Sequence, residues 1–163
     1  MELRHSTKRP SETAARWSPV FIRLALGITM VVAGVGKVFA TGPKAMGIEG
    51  FAGFLASLGV PLPTIMAWGV GLLELVGGIL LLVGLAVRIT SALIAIDMFV
   101  ATVLYHLPNG YPAGSDGIEL TLVLSLIAVA LVLSGPGALS IEQALSDQED
   151  RTRDSSQSRA TDR

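Results

Sequence analysis

The stretch IMAWGVGLLELVGGILLLVGLAV, residues 65–87, decides the fold of this chain. Glu74 is its only charged residue, and the run is longer than the roughly 20 apolar residues that cross a bilayer as a helix. A carboxylate at mid-membrane depth is energetically costly, and such residues mark functional sites. The stretch therefore predicts a membrane-spanning helix with Glu74 at a functional position, faced by groups from other spans.

The composition of the whole chain agrees with a membrane location. Of 163 residues, 51% are hydrophobic and 15% are charged, whereas soluble domains average about 25% charged residues. A formal net charge of −1 creates no field that would attract nucleic acid, so the expected partner is the lipid bilayer. The absence of cysteine excludes thiol–disulfide chemistry, iron–sulfur ligation and cysteine-based zinc sites within the chain.

Apolar stretches of spanning length predict an all-α integral membrane protein. The first stretch, residues 20–39, is longer than the 7–15-residue apolar core of a cleaved signal peptide, so we expect it to be retained in the mature protein. Short connections make consecutive helices antiparallel neighbours, which predicts an antiparallel four-helix bundle. The predicted spans are residues 20–39, 63–83, 87–107 and 117–134.

The loop after the first span contains IEGFAGFLASL, residues 48–58. Its large apolar residues recur at helical spacing, which predicts a short amphipathic helix. At about 11 residues it is too short to cross the membrane, so we expect it to lie in the outer interface and cover the end of the bundle.

Charged residues outside the spans predict orientation and domain limits. Basic residues are concentrated before the first span and at Arg88, so the positive-inside rule places both termini in the cytoplasm. Residues 1–17 are expected to form a disordered basic arm and residues 146–163 a disordered polar tail. The transmembrane domain then covers residues 18–145.

Ionisable residues within or at the edges of the spans are the candidates for chemistry. Glu74 and Asp97 both come out about 14 Å deep, where two close carboxyl groups would share a proton. The alternative is that each is neutral and only hydrogen-bonds across the bundle. Lys37 is expected to pair with Glu119 at the outer edge. The predicted intramembrane polar network is Arg23, Lys37, Glu74, Asp97 and Glu119.

Small residues surround Glu74 on its helix. Gly71, Gly77 and Gly78 share its face, which lets another helix approach closely. Glu74 is therefore expected to point into a tight helix contact, a geometry that argues against a wide aqueous pore.

Tyr105 and His106 end the third span. The only other histidine is His5, so a bis-histidine haem is not expected, and no metal site is predicted. A quinone head group could bind near Tyr105 and His106, although an interfacial hydrogen-bonding role for the histidine is the simpler reading.

Taken in order, these stretches resemble the DoxX family of bacterial integral membrane proteins, from residue 18 to residue 145. Arg23, Gly34 and Lys37 stand in the family's places in the first helix. The matching stretches are RLALGITMVVAGVGKVF (23–39), GFLASLGVPLP (53–63), AWGVGLLELVGGILLLVGLAVR (67–88), IDMFVATVLYHLPNG (96–110) and GIELTLVLSLIAVALVLSGPGALSIEQAL (117–145).

The resemblance implies a four-helix module of the bacterial plasma membrane that serves as an oxidoreductase component. Some members are linked to quinone-dependent sulfur oxidation and others to oxidative-stress complexes. Three functional hypotheses follow: a subunit of a membrane redox complex, a small proton-coupled transporter, and a non-catalytic structural module. Whether the chain is an enzyme by itself is left open by its sequence.

Overall fold

The computed structural model describes residues 12–142, with side chains described from residue 17 onward, and this part is all-helical. Most of the predicted arm and tail therefore lies outside the described residues. The first helix begins at Glu12, within the stretch that the sequence assigned to the arm. The five α-helices are α1 (Glu12–Phe39), α2 (Gly47–Ser57), α3 (Pro63–Val83), α4 (Val87–Ala101) and α5 (Glu119–Ser134).

Within residues 12–142, three helical segments are long and apolar enough to cross a membrane. They are Trp17–Phe39, Pro63–Val83 and Val87–Asn109, the last of which includes α4 and its continuation. The fourth predicted span corresponds to α5, which has 16 residues and extends about 24 Å at about 1.5 Å per residue. That length is shorter than the roughly 30 Å hydrocarbon core of a typical bilayer. The structure thus has three candidate spans and one shorter apolar helix.

Glycine brings α1 and α3 into close contact. A Cβ atom on Gly34 would overlap the backbone of Leu75, and one on Gly78 would lie 2.8 Å from the backbone nitrogen of Val31. On the same side of α3, Gly77 meets Thr90 of α4. The glycine-rich face of α3 therefore packs against two helices, and Glu74 lies between these glycines on that face.

The helices enclose an apolar core that extends from one end of the bundle towards the middle. Its fully buried members come from four helices, and a smaller cluster joins α2 to α3 through Phe51, Ala52 and Ala67. Large apolar side chains also cover the outside of the bundle, as expected of a surface that faces lipid. The main core consists of Leu26, Met30, Leu81, Val87, Ile94, Met98, Leu124, Ala128 and Leu131.

The helix that begins with α4 changes its winding after Ala101. Residues Thr102–His106 form a π-helical turn, where the sequence predicted a regular helix, and Leu107–Asn109 form a 3₁₀ turn at the end of the predicted span. The Thr102 hydroxyl oxygen lies 2.7 Å from the Met98 carbonyl oxygen and 2.8 Å from the Thr121 hydroxyl oxygen. π turns are rare and are frequently found at functional sites.

Candidate functional site

All five helices contribute to a cavity of about 560 Å³, which we call the central cavity. Its volume falls within the roughly 300–1,000 Å³ typical of small-molecule sites. The wall is mostly apolar, with Met30, Phe51, Leu55, Met98 and Leu124 among its members. A few polar side chains interrupt this wall: Thr29, Lys37, Lys44, Glu74, Asp97, Tyr105, His106, Asp116 and Thr121.

A buried ion pair lies in the wall of the central cavity. The Nζ atom of Lys37 donates a hydrogen bond of 2.5 Å to Oε2 of Glu74, whose side chain is only 4% exposed. The same ammonium group lies 4.9 Å from the centre of the Phe51 ring. A carboxylate and an aromatic face thus both compensate the charge of Lys37.

Asp97 reaches the central cavity from α4. Glu74 and Lys37 are close enough to interact with it electrostatically. Its Oδ2 atom is buried and has no hydrogen-bond partner among the described residues. Three of the five residues proposed from the sequence as a polar network therefore gather at this cavity.

Arg23 lies at a different place in the bundle. It is 2% exposed, and its two terminal nitrogens donate hydrogen bonds to the carbonyl oxygens of Pro136 (2.7 Å) and Leu139 (2.9 Å). These acceptors belong to the segment that follows α5. Arg23 therefore fastens this segment to α1, about 21 Å along the helix from Lys37.

Glu119 is exposed at the start of α5, where its Oε2 atom accepts a hydrogen bond of 3.0 Å from the backbone N–H of Ala113. The structure pairs Lys37 with Glu74 and not with Glu119, the partner expected from the sequence. The sequence argument compared depths along the helices, but the close packing of α1 on α3 decides which carboxylate Lys37 meets.

Tyr105 and His106 border one end of the central cavity. The Tyr105 ring packs edge-on against Phe54 of α2, with 4.8 Å between ring centres. Nδ1 of His106 lies 2.6 Å from the carbonyl oxygen of Asp116, a contact that requires the proton on Nδ1. The aromatic residues of α2 and the π turn therefore pack against each other in this part of the cavity wall.

Several residues of the cavity were not singled out from the sequence. The apolar face of α2 was interpreted as a cover, whereas Phe51 and Phe54 form part of the wall. Lys44 also lines the cavity, and its charge acts on Glu74. The helical spacing of the α2 aromatics was the available signal, but it does not distinguish a cover from a wall.

Comparison with known proteins supports the resemblance seen in the sequence. The family model DoxX matches residues 18–107. A protein named "Putative oxidoreductase CatD" from Bacillus subtilis (strain 168) is 30% identical over 123 residues, which are 76% of this chain and 83% of that protein. An uncharacterized membrane protein of Mycobacterium tuberculosis is 33% identical over 141 residues, covering 79% of this chain and 82% of the relative. No solved structure matches the chain. With a family model that matches more than half of its length, this chain belongs to the DoxX family.

Proposed function

We propose that this protein is a subunit of a membrane redox complex and that its central cavity binds a quinone head group. The observation that carries the proposal is the cavity itself, with its apolar wall and the Lys37–Glu74 pair beside Asp97. A flat apolar ring with oxygen atoms at its edge matches such a wall. Tyr105 and His106 would lie near the ring at the aromatic end of the cavity.

The proposed topology is a four-pass plasma-membrane protein with both termini in the cytoplasm. Arg88, next to the turn between α3 and α4, supports this orientation by the positive-inside rule. In the proposed arrangement α5 is the fourth crossing, lengthened by the irregular residues on either side of it. The bundle is then antiparallel, with α2 at the outer interface.

In the proposed function, this chain supplies the quinone site and the proton-transferring groups, and its partners supply the electrons. Reduction of a quinone needs electrons and protons, and this chain has no thiol to act as an electron donor. The electrons would come from another subunit or a soluble donor of the complex. Glu74 and Asp97 are the groups of this chain that would accept or release protons next to the ring.

Quinone binding to the purified protein tests this function directly. The full chain in lipid nanodiscs is titrated with a short-chain ubiquinone analogue, and bound quinone is also extracted from the protein as isolated. We expect saturable binding that Glu74→Gln weakens about tenfold or more through loss of the ion pair. Glu119→Gln, outside the cavity, should bind like the wild type. Absence of both endogenous quinone and saturable binding would rule the proposal out.

One observation favours a second candidate, a small proton-coupled transporter. Asp97 combines burial, a carboxyl oxygen without a partner among the described residues, and a position beside Glu74 and Lys37, a combination typical of proton relays in membranes. Proteoliposomes with a trapped pH-sensitive dye would report proton flux. Flux that Asp97→Asn abolishes and Glu119→Gln preserves would favour the transporter, and no flux in the wild type would remove it.

A further inference from the structure

The polar groups that line the central cavity differ in whether they already have a hydrogen-bond or charge partner within the protein. Lys37 is held by Glu74 and by the Phe51 ring. Nδ1 of His106 donates a hydrogen bond to the Asp116 carbonyl oxygen, and the Thr121 hydroxyl accepts one from the Thr102 hydroxyl. Oδ2 of Asp97 has no such partner in the part of the chain that the structure describes.

Asp97 differs from the other residues with an unpaired buried atom because it lines the central cavity. Two other buried side-chain atoms lack a partner within the described residues, Nε of Arg23 and Oγ of Ser91. Neither of these residues lines the central cavity. Because Asp97 lines the cavity and makes no hydrogen bond within the described residues, its carboxyl group is where a bound ligand would gain most from a hydrogen bond.

The chemistry of a carboxyl group restricts which ligand can make that bond. An ionised carboxylate only accepts hydrogen bonds, whereas a protonated one both donates and accepts. A hydroxyl group also does both, so it pairs with Asp97 in either protonation state. A carbonyl or ether oxygen only accepts, so it can pair with the protonated form but has no favourable contact with the carboxylate.

We propose that the central cavity recognises its ligand through a ring hydroxyl that donates a hydrogen bond to the carboxylate form of Asp97, so that it prefers a hydroquinone to the corresponding quinone. This inference rests on the proposed quinone-binding function and adds which form of the ligand is bound. The apolar wall holds the ring, and the Lys37–Glu74 pair stays intact beside it.

A comparison of three ligands with one scaffold tests the inference on the unmodified protein. The full chain in nanodiscs is titrated under anaerobic conditions with a decyl-substituted benzohydroquinone, its quinone and its dimethyl ether. We expect the hydroquinone to bind about tenfold more tightly than the other two, as one hydrogen bond to a carboxyl group allows. Similar affinity for all three would overturn the inference and leave the quinone site in place. No binding of any of them would overturn the proposed function itself.

Two variants of α4 test whether Asp97 causes the preference for hydroquinone. Asp97→Leu removes the carboxyl group and should reduce the preference for hydroquinone to about twofold or less. Ser91→Ala is the matched control, because it removes another buried and unpartnered oxygen of the same helix outside the cavity. A preference that survives in a folded Asp97→Leu protein would show that another group recognises the hydroxyl.

Discussion

Two basic residues of α1, Arg23 and Lys37, have different kinds of partner. Lys37 meets a carboxylate and an aromatic ring in the wall of the central cavity. Arg23 is buried against two backbone carbonyls and forms no ion pair within the described residues. The contrast teaches that charged residues in apolar helices need not belong to one shared network. Lys37 lines a cavity beside a carboxylate, whereas Arg23 holds the segment after α5 against α1.

Replacement of Arg23 should have the largest effect on stability. Arg23→Gln removes hydrogen bonds from a charged donor to the carbonyls of Pro136 and Leu139, and we expect a loss of about 4 kcal/mol in the free energy of unfolding. Thermal unfolding in detergent measures the loss, with the exposed Arg88→Gln as control. The fraction that stays folded should still bind quinone. A variant as stable as the wild type would contradict the fastening role.

The Lys37–Glu74 pair should respond differently, because its members compensate each other. Glu74→Gln leaves the Lys37 ammonium without its carboxylate and should cost about 3 kcal/mol of stability, since Lys37 is 18% exposed. The double variant Lys37→Met/Glu74→Gln should regain most of this loss, since replacing a buried pair by neutral groups is often tolerated. Additive losses in a double-mutant cycle would mean that the two residues do not stabilise each other.

Gly84 tests the packing around Arg23 with a smaller change. Gly84 has φ +73°, and an added Cβ would lie 2.5 Å from a terminal nitrogen of Arg23. Gly84→Ala should therefore lower stability by about 2 kcal/mol. Gly59→Ala carries the same backbone strain at φ +76° but has open space around it, so it should cost only about 1 kcal/mol. The added Cβ would also lie 2.7 Å from Cβ of Ser140, so equal losses would show that contact with these two side chains is unimportant.

Asp97→Leu should change stability least. Because Oδ2 of Asp97 has no partner within the described residues, removing it leaves no new unpaired group on its neighbours. We expect stability to be unchanged or raised by less than about 1 kcal/mol in thermal unfolding without ligand. A large loss of stability would mean that Asp97 stabilises the fold, and it would contradict the proposal that its carboxyl group is free to bind a ligand.

Much of the helical architecture could be predicted from the sequence. Apolar length located three candidate spans, and the glycines around Glu74 indicated a close helix contact, because both signals are local. The partner of Lys37 could not be predicted in this way, since depth along a helix says nothing about rotation around it. The π turn at Thr102–His106 was also missed. There the Thr102 hydroxyl contacts the Met98 carbonyl one turn back on its own helix and the Thr121 hydroxyl of α5, and the second contact is not visible in a local sequence pattern.

The bonds of Arg23 have a consequence for biosynthesis. Its acceptors lie 113 and 116 residues further along the chain. At about 5–20 residues per second, the ribosome needs on the order of ten seconds after making Arg23 to produce them. During that interval the guanidinium of the first helix has neither acceptor and must be accommodated by lipid headgroups, water or the insertion machinery. The two hydrogen bonds that hold Arg23 in the folded protein can therefore form only after the segment that follows α5 has been synthesised.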